Sequence, residues 1–205
     1  MKLPKIVDDL TAAFEKLPGI GHRTAQRLSF YLLRVPQRDL DAFAQALSHL
    51  KKETRLCSVC HNITDSDQCA VCSDQVRDHT QVCVVESFQD VIAIEKSGSY
   101  HGVYHVLHGS ISPLNNIGPD ELYIDTLLSR VRKGGVREVI LATNTSMEGE
   151  ATALYIQQAL GGVQSPGEDV QISRIGRGLP TGIEIEYADD QTLTHAFGTR
   201  RVLET

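Results

Sequence analysis

The chain has 205 residues, 41% of them hydrophobic and 22% charged, with a formal charge of −6 and a pI near 5.7. That length suits one full domain plus one or two small modules, and the acidity excludes a protein that is basic throughout and coats nucleic acid with all of its surface. No apolar run approaches the length of a membrane span, and MKLPKIVDDL carries no charged, apolar and cleavable leader pattern, so the expected partners include no membrane and the expected location is the cytoplasm.

Charge is unevenly placed along the chain. Residues 1–55 hold ten Lys/Arg against six Asp/Glu, a net of +4, whereas residues 56–205 hold ten against twenty, a net of −10. Only the first part suits a polyanion. Within it, residues 8–16 read as a helix, Leu17-Pro18-Gly19-Ile20-Gly21 as a turn, and residues 22 to about 34 as a second helix stopped by Pro36. This is a helix-hairpin-helix signature. Gly19 and Gly21 permit backbone angles that other residues avoid, so the chain reverses tightly with free amides at the start of the second helix. Such amides, at the positive end of a helix dipole, hold a phosphate without reading bases. Arg23, Arg27 and Arg34 fall in one narrow sector, opposite Thr24, Ala25, Leu28 and Leu32, which read as the packed face. The plainer alternative is an ordinary αα-hairpin with solvated arginines; the basic stripe and the local +4 favour DNA. A third helix, about residues 38–52, places Leu40, Phe43, Ala44, Leu47 and Leu50 at helical spacing and is expected to pack in the core.

Cys57-x-x-Cys60, eight residues, then Cys69-x-x-Cys72 follows. Two Cys-x-x-Cys turns facing each other supply four thiolates for tetrahedral Zn²⁺, and because sulfur fills every position the site is expected to be structural. Disulfides are rare in the cytoplasm, and a thioredoxin-like redox pair would stand at a strand-to-helix junction, whereas these pairs flank the polar segment HNITDSDQ. Cys83, inside VCVVE, reads as a small buried hydrophobe.

Beyond the cysteines the pattern alternates strand and helix: an apolar run at 82–86, a helix from Ser87, a helix over 120–133, a strand VILAT and a helix from about 148. The expected class is α/β with a mostly parallel sheet. Ser87-x-x-Asp90 and Thr145-x-x-Glu148 are capping-box patterns just after the two apolar runs. Functional groups of open α/β sheets gather at the carboxyl ends of strands, where Glu86, Glu148 and Glu150 fall. Together they would suit Mg²⁺; equally, acids in a helix's first turn are what its dipole favours, and spacing does not choose between the two. His101, His105 and His108 carry no accompanying ligand pattern and are left without a role.

LPGIGHRTAQRL, the cysteine quartet, YHGVYHVLHGSISPLNNIGP, ATNTSMEGEATALYI and GRGLPTGIEIEYADDQTL occur in this order, and together they resemble the RecR family of recombination mediators nearly end to end. The resemblance implies a helix-hairpin-helix module at 1–55, a four-cysteine zinc finger at 56–78, a Toprim domain at 79–175, and a Walker-B-like C-terminal strand and helix at 176–205 that contribute to subunit association. It further implies a ring-like homo-tetramer that binds single-stranded, double-stranded and gapped DNA near the nucleoid. It would work there with RecO and RecF to help load RecA at gaps, without catalytic turnover of its own. Carried over by position, the DNA contacts are Arg23 and Arg27, beside Gly19, Gly21 and Arg34; the zinc ligands are Cys57, Cys60, Cys69 and Cys72; and the Toprim glutamate is Glu86. Toprim enzymes pair that glutamate with Asp-x-Asp and Mg²⁺. Here the second strand ends at Asn144, followed by Glu148-Gly149-Glu150, so Glu86, Asn144, Glu148 and Glu150 are expected to bind a partner, RecO above all, or an altered Mg²⁺ site. Ile183-Glu184-Ile185 stands where the family more often has Gly-Asp-Leu, and its alternation with Glu186 predicts a strand. No G-x-x-x-x-G-K-[ST] loop occurs, so ATP use would belong to a partner. Two alternatives remain in view: a Mg²⁺-dependent Toprim enzyme acting on phosphodiesters, with Glu86 as acid/base and Glu148 and Glu150 as metal ligands, and an adaptor that never touches DNA.

Overall fold

The structure, a computed structural model, describes residues 3–162 and 169–200, in two compact units, Met1–Thr54 and Arg55–Thr205. The first is helical: α1 (Lys5–Glu15), α2 (His22–Leu32) and α3 (Gln37–Glu53). Pro4 and Pro36 stand just before α1 and α3, where a missing N–H leaves no hydrogen bond unmade. Helix α1 starts three residues earlier than its pattern suggests, because Val7 is needed in the crossing with α2. There Val7 and Thr11 meet Ala25 and Ser29, all four buried and each pair four residues apart. The Ser29 hydroxyl donates to the Ala25 carbonyl (3.0 Å), and the Thr11 hydroxyl bonds the Val7 carbonyl (2.8 Å) and lies 3.0 Å from Ser29 Oγ, so no buried hydroxyl is left unpaired.

The core role expected of α3 is not what forms. The helix buries no residue: Phe43, Leu47 and Leu50 are 44%, 59% and 63% exposed. A 3.6-residue period says that a face is apolar, not what covers it, and a small hairpin has little surface to offer a third helix.

The second unit opens with a two-stranded antiparallel ribbon, β1 (Arg55–Leu56) and β2 (Ile63–Thr64), and the single turn α4 (Ala70–Ser73). Then come β3 (Asp78–Val85), α5 (Phe88–Ser97), β4 (Gly102–Val106), α6 (Ile124–Arg132), β5 (Glu138–Leu141), α7 (Met147–Gly161), β6 (Gln171–Arg174) and α8 (Asp190–Gly198). The four later strands form one parallel sheet in the order β4-β3-β5-β6. Alternation along the central strand sorts two cores: Val82 and Val84 face Leu127, Val131, Ile156 and Leu160 of α6 and α7, while Cys83 and Val85 face Val91 of α5 and Tyr104. The parallel sheet and its helices are thus the α/β class that the alternation predicted, and the helical N-terminal unit, cysteine module and C-terminal helix stand beside it as expected. Cys83 is the buried hydrophobe expected of it, its thiol pushed up to about 12 by burial.

Three local expectations change. The capping box at Ser87 forms, with the Asp90 carboxylate accepting from the Ser87 N–H at 2.8 Å, but α7 is capped by Ser146, one residue beyond Thr145, through Gly149 N–H (3.1 Å). The helix expected from residue 120 splits into a 3₁₀ turn at Pro119–Glu121 and α6. Residues 183–186 make no strand: Tyr187 N–H bonds Glu184 O (3.0 Å) and Ala188 N–H bonds Ile185 O (3.2 Å) in a 3₁₀ turn. Alternating side chains define two faces, but a strand also needs a neighbouring backbone, and the described residues provide none here.

Candidate functional site

In the N-terminal unit, the turn before α2 works with one special glycine rather than two. Gly19 has φ +81°, whereas Gly21, the N-cap, sits at φ −87°. Because Gly21 has no side chain, no side-chain cap fills the first amides of α2, which leaves them open to an anion. One flank of that opening is acidic: Glu15 pairs with His22. Arg23, Arg27 and Arg34 come together along one groove with Gln26, Phe30 and Tyr31, and among the described residues no carboxylate or carbonyl engages their guanidinium groups. Of the packed face expected of α2, Ala25 is buried while Thr24, Leu28 and Leu32 are half-buried, and Ser29, outside that expectation, is the other buried residue.

Cys57, Cys60, Cys69 and Cys72 are all buried, and their sulfurs lie within 4.8 Å of one another, the only such group of metal-binding side chains among the described residues. A tetrahedron of metal–sulfur bonds near 2.3 Å has edges of about 3.8 Å, and Cys60 Sγ and Cys69 Sγ are 3.5 Å apart. Each half is a tight knuckle: Cys57 N–H bonds Asn62 O (2.8 Å) and His61 N–H returns to Cys57 O (3.0 Å) in the first, Ser73 N–H returns to Cys69 O (3.0 Å) in the second, and Cys69 N–H points across at Cys57 Sγ (3.3 Å). Hydrogen bonds from Cys60 and Cys72 hold the Cys69 thiol down at about 2, while the bond to Cys69 pushes Cys60 up. Sulfurs brought this close are suited to a shared cation, whose binding would release their protons. This donor set fits structural zinc, with no place left for water or substrate.

The module also closes the sheet. Strand β4 is an edge, and its outward Val106 N–H bonds Cys60 O at 2.8 Å. Next to it the histidines find surroundings that their spacing does not reveal. His61 stacks on Tyr123 (4.0 Å) and meets His105 edge-on (5.3 Å), and His108 donates to His61 O through Nε2 (2.6 Å). His101 is exposed and outside this group.

At the carboxyl ends of β3 and β5, Glu86 and Asn144 do meet. Asn144 donates to Glu86 through its backbone N–H (2.8 Å) and through Nδ2 (2.7 Å), so both oxygens of the carboxylate are engaged. Gly149 allows the approach: a Cβ there would sit 2.2 Å from Asn144 O and 2.7 Å from Glu86 Oε1. Glu150 turns elsewhere, to Arg174 (2.8 Å) and Arg177. Burial raises its pKa, but hydrogen bonds from the two arginines outweigh this and hold the carboxyl below its usual range. Arg174 also donates to Leu141 O (2.6 Å), Thr143 O (2.8 Å) and Asn144 O (3.2 Å), tying the end of β6 to the loop that carries Asn144. The carboxylates therefore do not converge. Glu148 alone has no side-chain partner among the described residues. Sequence reasoning missed Arg174 and Arg177, whose signal, two arginines flanking Ile175-Gly176 after an apolar strand, points to no particular acid.

Family models match the chain in four consecutive stretches: RecR, helix-hairpin-helix, at residues 7–51; RecR, four-cysteine zinc finger domain, at 54–74; Toprim domain at 80–176; and RecR, C-terminal, at 178–201. The chain is similar to proteins named Recombination protein RecR in Moorella thermoacetica (48% identical over 204 residues, 100% of each chain), Syntrophotalea carbinolica (50% over 194 residues, 95% of each) and Lactococcus lactis subsp. cremoris (45% over 200 residues, 98% of each).

Proposed function

Because the chain belongs to the RecR family, we propose that it is a DNA-binding scaffold of recombinational repair, acting through binding and handoff rather than turnover. Support comes first from the three unpaired arginines, Arg23, Arg27 and Arg34, aligned beside the uncapped start of α2. They suit phosphates of any sequence, on single-stranded, duplex or gapped DNA. Structural zinc at the cysteine quartet keeps the small module folded against the sheet edge. Several copies in a homo-tetrameric ring would place several weak hairpins on one DNA, raising avidity without new contacts. Apolar side chains left exposed on α3 and at Ile185, Tyr187 and Phe197 near α8 are suited to that assembly.

The carboxylate cluster serves a protein in this reading. Glu86 and Glu150 are held in place by Asn144, Arg174 and Arg177, so they present a fixed acidic surface, with Glu148 free to pair with a basic group. RecO is the proposed occupant, RecF a further member, and loading of RecA at gaps the outcome. Of the three glutamates that a phosphodiester-cleaving role would use, Glu86 and Glu150 are already engaged and only Glu148 is free, which counts against that role.

The arginines carry the proposal, and salt dependence tests it. Replacing Arg23 and Arg27 together with alanine should weaken binding to a gapped oligonucleotide and reduce the slope of log affinity against log salt by about 1.5, at unchanged helix content. An unchanged slope would sink the assignment.

A further inference from the structure

The basic face of α2 is not only basic. Arg23, Arg27, Phe30 and Arg34 stand at i, i+4, i+7 and i+11, one stripe at 3.6 residues per turn, with Tyr31 at its flank. Phe30 is 40% and Tyr31 65% exposed. Both lie away from Ala25 and Ser29, the residues through which α2 is buried in the hairpin. Phosphate binding alone gives no reason for an exposed aromatic ring within an arginine stripe and a second at its flank. With Gln26, these five residues line a groove of about 450 Å³ that contains no acidic side chain.

We propose that this groove is a stacking site for an unpaired base of single-stranded nucleic acid, Phe30 and Tyr31 offering ring faces while Arg23, Arg27 and Arg34 hold the neighbouring phosphates. This deepens, and rests on, the DNA-binding reading above. The chemistry selects single strands because a duplex keeps its base faces stacked inside and exposes only backbone and base edges, whereas every unpaired base presents a π-face. Arginine adds to this by lying against base planes as well as bonding phosphate. A second copy of this chain is the poorer occupant: across a two-fold interface the same patch meets itself, which would oppose three arginines to three.

The test uses the full chain and three probes of equal length: oligothymidylate, an abasic phosphodiester strand and a duplex, with 2-aminopurine placed in a further oligothymidylate as a stacking reporter. Tyr31→Ala should lose about 5- to 100-fold in affinity for oligothymidylate, with no change for the abasic strand or the duplex and no change in salt slope; Tyr31→Phe should restore the loss. Wild type should quench 2-aminopurine and Tyr31→Ala should not. Phe30→Ala provides a second, independent variant with the same expected pattern. Equal wild-type affinity for oligothymidylate and abasic strand overturns the stacking site while leaving phosphate binding intact. A changed native mass of Tyr31→Ala without DNA also overturns it, by making the face a subunit contact. Absence of salt-dependent binding to all three probes would instead bring down the DNA-binding reading beneath it.

Discussion

His105 owes its neutral state to its position in the fold. It lies fully buried on β4, its Nε2–H donating to Tyr123 O at 2.8 Å, while Nδ1 has no hydrogen-bond partner. Burial drives its pKa down to about 3, so it stays neutral in the native state. In the unfolded chain it takes up a proton near pH 6.5. Between these values the unfolded state binds the extra proton, so stability is highest above pH 6.5 and falls as pH drops towards 3, by up to about 1.4 kcal/mol per pH unit. His105→Asn removes that group, and urea unfolding at pH 6.5, 5.5 and 4.5 should show wild type losing stability relative to the variant at each step. Parallel losses would show that His105 is not the source. Spacing left His101, His105 and His108 equivalent because it records intervals and not depth; His105 is buried, whereas His101 and His108 are exposed and only His108 bonds the His61 carbonyl.

Among the elements, the cysteine module was the most legible and still held something back. Four thiols at those intervals announce a tetrahedral site, since the ligand geometry is local to two turns. That the module also covers the edge of the sheet through Cys60 O and Val106 N–H was not readable, because strand order decides which strand is an edge. Serine at Cys57 or Cys72 should therefore lose zinc and, with it, the protection of the Val106 amide against hydrogen exchange, while amides of the central strand β3 stay protected. Zinc retained at one per chain, or Val106 protection unchanged, would contradict this coupling. The carboxylate loop shows the same limit: Glu86 and Asn144 were both visible as strand-end residues, but their clamp requires β3 and β5 to be neighbours, Gly149 to lack a side chain and Arg174 to arrive from β6.

For the whole molecule, the observation that bears on the proposed assembly is exposed apolar surface. Phe43, Leu47 and Leu50 line one face of α3, and Ile185, Tyr187 and Phe197 lie near the C-terminal helix, all exposed. Patches of this kind are covered in assemblies. The proposed tetramer of a 22.6 kDa chain has a native mass of about 90 kDa. Glutamate at both Leu47 and Leu50 should lower that mass while leaving zinc content unchanged, and Tyr187→Glu should do so independently. A wild-type mass of one chain at micromolar concentration would remove the basis for ring avidity.

The sequence alone determined what depends on intervals and on residue chemistry: the hairpin turn and its arginine stripe, the four-thiolate site, the α/β alternation and the family. Those signals are local or periodic, and they survive in any packing of the chain. Only the tertiary structure decided which acids meet which cations, which histidine is buried, which edge the cysteine module closes, and that α3 faces outward. Each of these turns on contacts between residues far apart in the chain, where strand order and helix placement, rather than spacing, bring the partners together.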